Sequence, residues 1–248
     1  MFNELKHLAH HLLSWLVFLF TLAIFFFSFG LSSIIVFGNS LLVPLPTATH
    51  SFAAQVFEKI KTDMVPAGVE IVVLNPFSAF ISQVKVAFFL AFLAAFPFLL
   101  LQIIKYLRPA LFAHERKESL KLLLPTVILF ISGCVFSYYV IIPPTFAVLY
   151  RYASAIGATS YFAVNELISL VFALTFVTGI LFLLPVGMFL LNKTGVVSSD
   201  FWRKQWKTAL FSFLVVSAII TPDGSGISML LLTTPLIALY GLGTIISK

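Results

Sequence analysis

The fold is decided by residues 96–121, which read F-P-F-L-L-L-Q-I-I-K-Y-L-R-P-A-L-F-A-H-E-R-K-E-S-L-K. In this stretch a long apolar run gives way to dense charge and then resumes as another apolar run. Pro109 lacks an N–H and biases Arg108 away from the α region, so a helix that arrives from Leu107 ends there. The stretch therefore predicts two membrane helices joined by a compact polar loop.

The composition of the chain is that of a membrane protein. Of the 248 residues, 60% are hydrophobic and only 10% are charged, whereas soluble domains carry about 25% charged residues. We therefore predict a polytopic membrane protein that forms a single transmembrane domain over residues 1–248. The net charge of +6 indicates basic loops rather than a nucleic-acid-binding surface, because cytoplasmic loops of membrane proteins are enriched in Lys and Arg.

Six apolar runs predict an all-α fold with six transmembrane helices. Pro143 and Pro144 are expected to close the third run. Helices five and six are expected to be short, and the fifth run is shorter than a hydrocarbon core of about 30 Å requires. Between the first two runs, residues 51–61 have the periodicity of an amphipathic helix lying on the membrane, and residues 69–74 are expected to be extended. The six runs are residues 12–36, 76–106, 120–142, 167–191, 208–220 and 227–246.

Basic residues set the predicted orientation. They collect near both termini and in the loops around residues 110 and 200, whereas only Lys59, Lys61 and Arg151 fall on the opposite side. Both termini are therefore expected to face the cytoplasm or its organellar equivalent.

Signatures of enzymes and of metal sites are absent from the sequence. There is no G-x-S-x-G, H-E-x-x-H, P-loop or paired-cysteine motif, and Cys134 is the single cysteine. His7, His10 and His11 could bring two imidazoles to one helix face, but no second cluster supplies further ligands. No enzymatic activity, cofactor or metal is therefore predicted.

Lys85 is the costly residue, because it lies about nine residues into the second helix, at a depth of ~13 Å. A charge inside a span normally faces the bundle interior and has a partner, although the stem of a lysine also lets its amine reach outward. Glu166 and Glu70 are the candidate partners. Both a structural and a functional role stay open.

Glu115 lies in the polar loop beside His114, Arg116 and Lys117. One interpretation is a solvated acid near the start of the third helix, where the helix dipole favours a carboxylate. The other is an acid that binds a cationic partner, for which an arginine fork is best suited. The residue types alone favour the first interpretation.

Three segments resemble the TatC family, the receptor and core subunits of the twin-arginine protein translocase. The strongest is Pro97, Gln102 and then P-A-L-F-A-H-E-R-K of residues 109–117. The second is L-N-P-F-S-A-F-I-S-Q-V-K-V-A of residues 74–87, and the third is T-P-D of residues 221–223. The resemblance covers nearly the whole chain and implies a glove-like bundle with a concave face.

The resemblance implies a receptor for signal peptides. The cytoplasmic surface made by the amino terminus and the polar loop would bind the twin-arginine signal peptide of a folded cargo, with Glu115 paired to its arginines. Pro222 and Asp223 would form the outer turn between the last two helices. The residues expected at the bound peptide are Glu115, Tyr106, Pro109, Glu4 and Arg116.

The resemblance also implies partners and a driving force. Single-span subunits of the TatA and TatB type would pack along helices five and six, and the chain would form a homo-oligomer within a larger complex in membrane lipid. Transport would be driven by the proton-motive force across a bacterial inner membrane or an organellar membrane.

Three positions depart from the family pattern. Both amino-terminal arginines are missing around residues 4–6, Leu183 stands where helix four carries a glutamate, and Ser78 replaces an acid near the start of helix two. Two alternatives therefore stay open. One is a structural subunit that kept the fold but lost receptor activity, and the other is a small-solute transporter.

Overall fold

The structure is a computed structural model that covers most of the chain. Within the described residues the chain forms ten α-helices and four short strands. Contacts divide it into two compact units, residues 1–110 with 161–170 and residues 111–160 with 171–248. The described residues are 2–36, 39–47, 50–65, 70–73, 75–107, 122–155, 161–193, 195–224 and 226–247, with the backbone alone for 2–11, 32–36, 39–42, 70, 76, 104–107, 154, 161–162 and 199.

Six helical segments have the apolar character of membrane helices. Two of them, Leu12–Ser28 and Trp206–Ile220, are short. The predicted all-helical membrane fold is confirmed, and these six segments are consistent with six spans. The four segments that are also long enough to cross a membrane are Phe77–Ile103, Leu123–Ala153, Val164–Lys193 and Ile227–Ile246.

In the first unit, helices α1 (Phe2–Ser28) and α3 (Pro76–Leu107) pack along their lengths. Phenylalanine rings fill much of the interface, as where Phe18 meets Phe98 with 5.2 Å between ring centroids. Trp15 donates its indole N–H to the carbonyl oxygen of Ala95 at 3.2 Å. Because buried alanines lie between the rings, the two backbones can approach closely.

The first helix ends earlier than residue 36, where we expected its end. It stops at Ser28, and the chain enters an antiparallel hairpin of β1 (Phe29–Val36) and β2 (Asn39–Pro46). A Cβ at Gly30 would lie 1.8 Å from the carbonyl oxygen of His50. The backbone at Gly30 thus lies against the segment that precedes α2, and the β-branched end of the run favours the strand.

Helix α2 (Phe52–Met64) confirms the amphipathic helix predicted over residues 51–61. The hydroxyl oxygen of Ser51 accepts from the amide of Ala54 at 3.2 Å and caps the helix. Its buried side packs on α1, α3 and β1. The extended stretch predicted over residues 69–74 is also confirmed, since β3 (Glu70–Val72) pairs in parallel with β4 (Tyr161–Ala163).

In the second unit, Pro143 and Pro144 do not close the third helix as predicted. Helix α4 (Leu123–Phe136) passes through a π-helical turn (Ser137–Ile141) into α5 (Ile142–Ala155). A proline in a regular helix meets the carbonyl of the fourth residue before it. The widened turn directly before the prolines changes this spacing and lets the helix continue.

The remaining helices follow the predicted order. The predicted fourth helix is divided into α6 (Val164–Leu181) and α7 (Leu184–Lys193), and the break comes just before Pro185. After the short α8 (Ser199–Lys204), α9 (Trp206–Ile220) is as short as expected, and α10 (Ile227–Ile246) has the predicted bounds. With 20 residues, α10 is long enough to cross a membrane rather than short. The buried apolar cluster of this unit contains Ile141, Met188, Phe213, Leu232, Leu236 and Tyr240.

Candidate functional site

The residues predicted at the peptide-binding loop fall largely outside the described part of the chain. Pro109, Glu115 and Arg116 belong to residues 108–121, which the structure does not describe, and for Glu4 and Tyr106 it describes the backbone alone. Their assignment to peptide binding stays a prediction.

The helices that lead to this loop are described, and their pairing places the amino terminus. Along the interface, Ser14 meets Gln102, whereas Phe20 meets Phe88, with 5.3 Å between ring centroids. The two helices are therefore antiparallel, and positions nearer the start of α1 lie beside positions nearer the end of α3. The backbone at Glu4 is thus brought to the end of α3, where the loop begins.

Gln102 connects these two helices by a polar contact just before the loop. Its amide nitrogen Nε2 donates to the hydroxyl oxygen of Ser14 at 3.1 Å, and the side chain is buried. Gln102 belongs to the motif that carries the family resemblance, but its partner was not predicted. A serine within the apolar run of the first helix is the only sequence signal that could have identified it.

Lys85 is half-buried on α3 and binds two neutral acceptors on α6. Its Nζ donates to Oδ1 of Asn165 and to Oγ of Ser169, both at 2.7 Å. Ser169 in turn donates its hydroxyl proton to the backbone carbonyl of Asn165 at 2.6 Å. The three residues form one connected polar cluster inside the first unit.

Glu166, a predicted partner of Lys85, is exposed, and no salt bridge joins the two within the described residues. The prediction of this partner is wrong because of helix geometry. Residues four apart share a helix face, whereas the next residue is turned by about 100°. Asn165 and Ser169 therefore face α3, and Glu166 does not. The side chain of Glu70, the other candidate, lies outside the described residues.

The predicted outer turn contains a buried carboxylate. Pro222 is exposed, but Asp223 is only 2% exposed, and its Oδ2 accepts from the hydroxyl of Ser228 at 2.8 Å. Oγ of Ser228 lies 3.1 Å from Oγ1 of Thr145 on α5. The turn is thus connected through α10 to the helix that follows the π-helical turn.

The structure describes two of the positions that were predicted to depart from the family pattern. Leu183, which the resemblance assigns to the position of a helix-four glutamate, is half-buried in the break between α6 and α7. Ser78 donates its hydroxyl proton to the carbonyl of Asn75 at 2.6 Å, and Oδ1 of Asn75 accepts from the amide of Phe77 at 3.0 Å at the start of α3. Neither position offers a carboxylate.

Taken together, the apolar helices, the intramembrane lysine cluster and the buried outer turn define a polytopic membrane protein. The model of the family described as Sec-independent protein translocase protein (TatC) matches residues 3–235. The chain belongs to the TatC family.

Individual relatives agree with this assignment over most of the chain. The TatC protein of Cenarchaeum symbiosum is 35% identical over 206 residues, covering 83% of this chain and 78% of that protein. The TatC protein of Aquifex aeolicus is 30% identical over 200 residues, which cover 79% of this chain and 82% of that protein. A crystal structure described as the twin arginine translocase receptor TatC superposes with a TM-score of 0.74 at 26% identity. The superposition covers 99% of this chain and 98% of that structure.

These relatives place the chain in a membrane and in a transport system. It is a multi-pass membrane protein and a subunit of the Sec-independent protein translocase. Its relatives include proteins of bacteria and of chloroplasts, so the membrane is bacterial or organellar.

Proposed function

We propose that the chain is the receptor subunit of its translocase and that it binds twin-arginine signal peptides at its cytoplasmic face. The observation that carries this proposal is the match over residues 3–235 together with the loop sequence P-A-L-F-A-H-E-R-K, residues 109–117. The similar crystal structure is itself described as a receptor. The binding surface would consist of the start of α1 and the loop that follows α3.

Glu115 would be the main acid of this surface. A carboxylate binds a guanidinium through two parallel hydrogen bonds, so an acid beside the loop would select arginine over lysine. Tyr106, Pro109 and Arg116 would shape the loop around the peptide. The antiparallel pairing of α1 and α3 supports Glu4 as a second acid, because it brings the backbone of that residue to the same end of the unit.

Partner subunits complete the proposed complex. Single-span proteins of the TatA and TatB type would pack along α9 and α10, and several copies of the chain would assemble with them. The exposed apolar side chains of these two helices, such as Phe211 and Ile219, support such packing. The proton-motive force would drive transport.

The test is the binding of a fluorescent twin-arginine signal peptide to the purified, detergent-solubilised protein. A twin-lysine peptide measures selectivity, and Glu115→Gln is compared with Glu118→Gln, which removes the same charge from the same loop. We expect Glu115→Gln to weaken binding by about 10- to 150-fold, the equivalent of a lost charge-assisted hydrogen bond of about 1.5–3 kcal/mol. Glu118→Gln should change binding by less than about threefold.

A structural subunit that lost receptor activity is the second candidate. The missing amino-terminal arginines and Leu183 favour it, because both changes remove charges from the family pattern. If both peptides bind equally, or neither binds, while the chain still assembles with its partner subunits, this second function replaces the first.

A further inference from the structure

The corner between α8 and α9 carries three exposed cations beside two exposed aromatic rings. Arg203 and Lys204 end α8, and Lys207 lies in the first turn of α9; all three are exposed. Phe201 and Trp206 are 45% and 54% exposed. We refer to these five residues as the basic–aromatic corner.

Trp202 anchors the basic–aromatic corner to α10. The Trp202 ring meets Tyr240 of α10 edge-on, with 6.4 Å between centroids. The hydroxyl of Tyr240 also donates to the backbone carbonyl of Trp202. Because Trp202 is held toward α10, its neighbours on α8 are presented on the outside.

The cations of the corner are available to an anion. In the part of the chain that the structure describes, no salt bridge involves any of the three. The one acid between residues 195 and 207 is Asp200, which is exposed. Nζ of Lys207 lies 5.7 Å from the ring centroid of Trp206, so aromatic and cation already form a unit that a phosphate could approach.

The corner also lies where lipid headgroups are expected. It joins the apolar segment Val164–Lys193 to the apolar helix α9, so it lies at a membrane boundary. The distribution of basic residues assigns this boundary to the cytoplasmic side, where the leaflet is negatively charged. Indole rings prefer this depth, and an arginine or lysine stem can extend toward the phosphates.

We propose that the basic–aromatic corner is a binding site for an anionic phospholipid. The three cations would hold the phosphate headgroup, and Phe201 and Trp206 would lie against the glycerol and upper acyl region. The corner shares no residue with the proposed peptide-binding surface, and this proposal does not rest on that function. A purely acidic protein partner would pair with the cations but would leave the two rings exposed to water, so lipid accounts for both halves of the surface.

The test uses the full chain in phosphatidylcholine vesicles that contain brominated phosphatidylglycerol or, in parallel, brominated phosphatidylcholine. Quenching of tryptophan fluorescence reports the relative affinity for the two headgroups, and a Trp206→Phe variant isolates the signal of that residue. We expect a preference for phosphatidylglycerol that weakens as salt rises. The variant Arg203→Gln/Lys204→Gln/Lys207→Gln should lower the preference by about fivefold per cation, which is on the order of 100-fold for the three together.

The matched control is Lys59→Gln/Lys61→Gln/Arg151→Gln, which removes three charges from the side predicted to be opposite and should keep the preference. Equal quenching by both lipids in the unmodified protein would overturn the proposal, and so would an equal loss in the two triple variants. A third contrary result would be a soluble polyglutamate peptide that binds through these cations while the lipid preference is unchanged in the first variant. That result would assign the corner to an acidic protein.

Discussion

The cluster around Lys85 predicts a small loss of stability when the charge is removed and a larger loss when its acceptors are removed. Lys85→Met removes two hydrogen bonds from a charged donor, each worth about 1.5–3 kcal/mol. It also removes an ammonium whose cost inside a span is about 2.5–3.5 kcal/mol. The two effects largely cancel, and we expect a loss of about 1 kcal/mol in the free energy of unfolding.

Removing the acceptors leaves the charge without compensation. The double variant Asn165→Leu/Ser169→Ala loses the same two hydrogen bonds but keeps the ammonium between apolar helices. Because Lys85 is only half-buried, its amine can recover part of the loss by reaching outward. We therefore expect a loss of about 3 kcal/mol in the free energy of unfolding, the lower end of the sum for the two hydrogen bonds. The neutral residues are predicted to matter more than the charged one.

The free energies of unfolding can be measured by titrating mixed micelles with sodium dodecyl sulfate and following tryptophan fluorescence. Glu166→Gln is the control, since it removes an exposed carboxylate beside Asn165 and should change stability by less than about 0.5 kcal/mol. The reasoning is refuted if Lys85→Met destabilises the protein more than the double variant does. A large effect of Glu166→Gln would show instead that an ion pair holds the lysine.

Two further substitutions test the packing that the sequence did not reveal. Gly30→Ala would place a Cβ 1.8 Å from a backbone oxygen, so it should lower thermal stability by at least the equivalent of about 1–3 kcal/mol. The control Gly187→Ala has nothing within 4 Å of the added carbon and should be neutral or stabilising. Equal effects of the two substitutions would contradict the hairpin geometry. Thr145→Val removes the hydroxyl next to Ser228 and should lower the free energy of unfolding by about 1 kcal/mol in the same titration. If stability does not fall, the hydrogen bond between Thr145 and Ser228 does not stabilise the buried outer turn.

The membrane fold could be predicted because it depends on long local signals. The second and sixth apolar runs, predicted over residues 76–106 and 227–246, agree closely with α3 and α10. The end of α1 could not be predicted in this way. Gly30, two residues beyond the end of α1, approaches a backbone segment about twenty residues away, and no local pattern encodes that contact.

The two prolines of the third helix show a different limit. The rule that proline ends a helix considers only regular α-helical spacing. The π-helical turn at Ser137–Ile141 changes that spacing before Pro143. Its residues carry no composition that distinguishes them from an ordinary apolar helix, so the rule gave the wrong end.

At the candidate site, charge alone was a good guide to the residue and a poor guide to its partner. Lys85 was identified because a cation inside an apolar run is expensive. Its partner was sought among acids, although neutral oxygens on the facing side of α6 satisfy it. Helix phase should have ranked Asn165 and Ser169 above Glu166. The polar loop around Glu115 was predicted from the sequence pattern, but its role in peptide binding was predicted only through the family resemblance.

The positions of the acidic residues limit which carboxylates a receptor with this sequence can offer to a signal peptide. Within the apolar helical segments of the described chain, Glu166 is the one carboxylate, and it is exposed in the first turn of α6. Asp223 is buried in the outer turn, and Leu183 and Ser78 offer no charge. On the predicted cytoplasmic side, the arginines of a signal peptide would therefore find carboxylates in the loop after α3, at the start of α1 and at the exposed Asp200, which lies beside the cations of the basic–aromatic corner. Receptor and structural subunit thus differ in one testable property, the affinity that Glu115 confers on that loop.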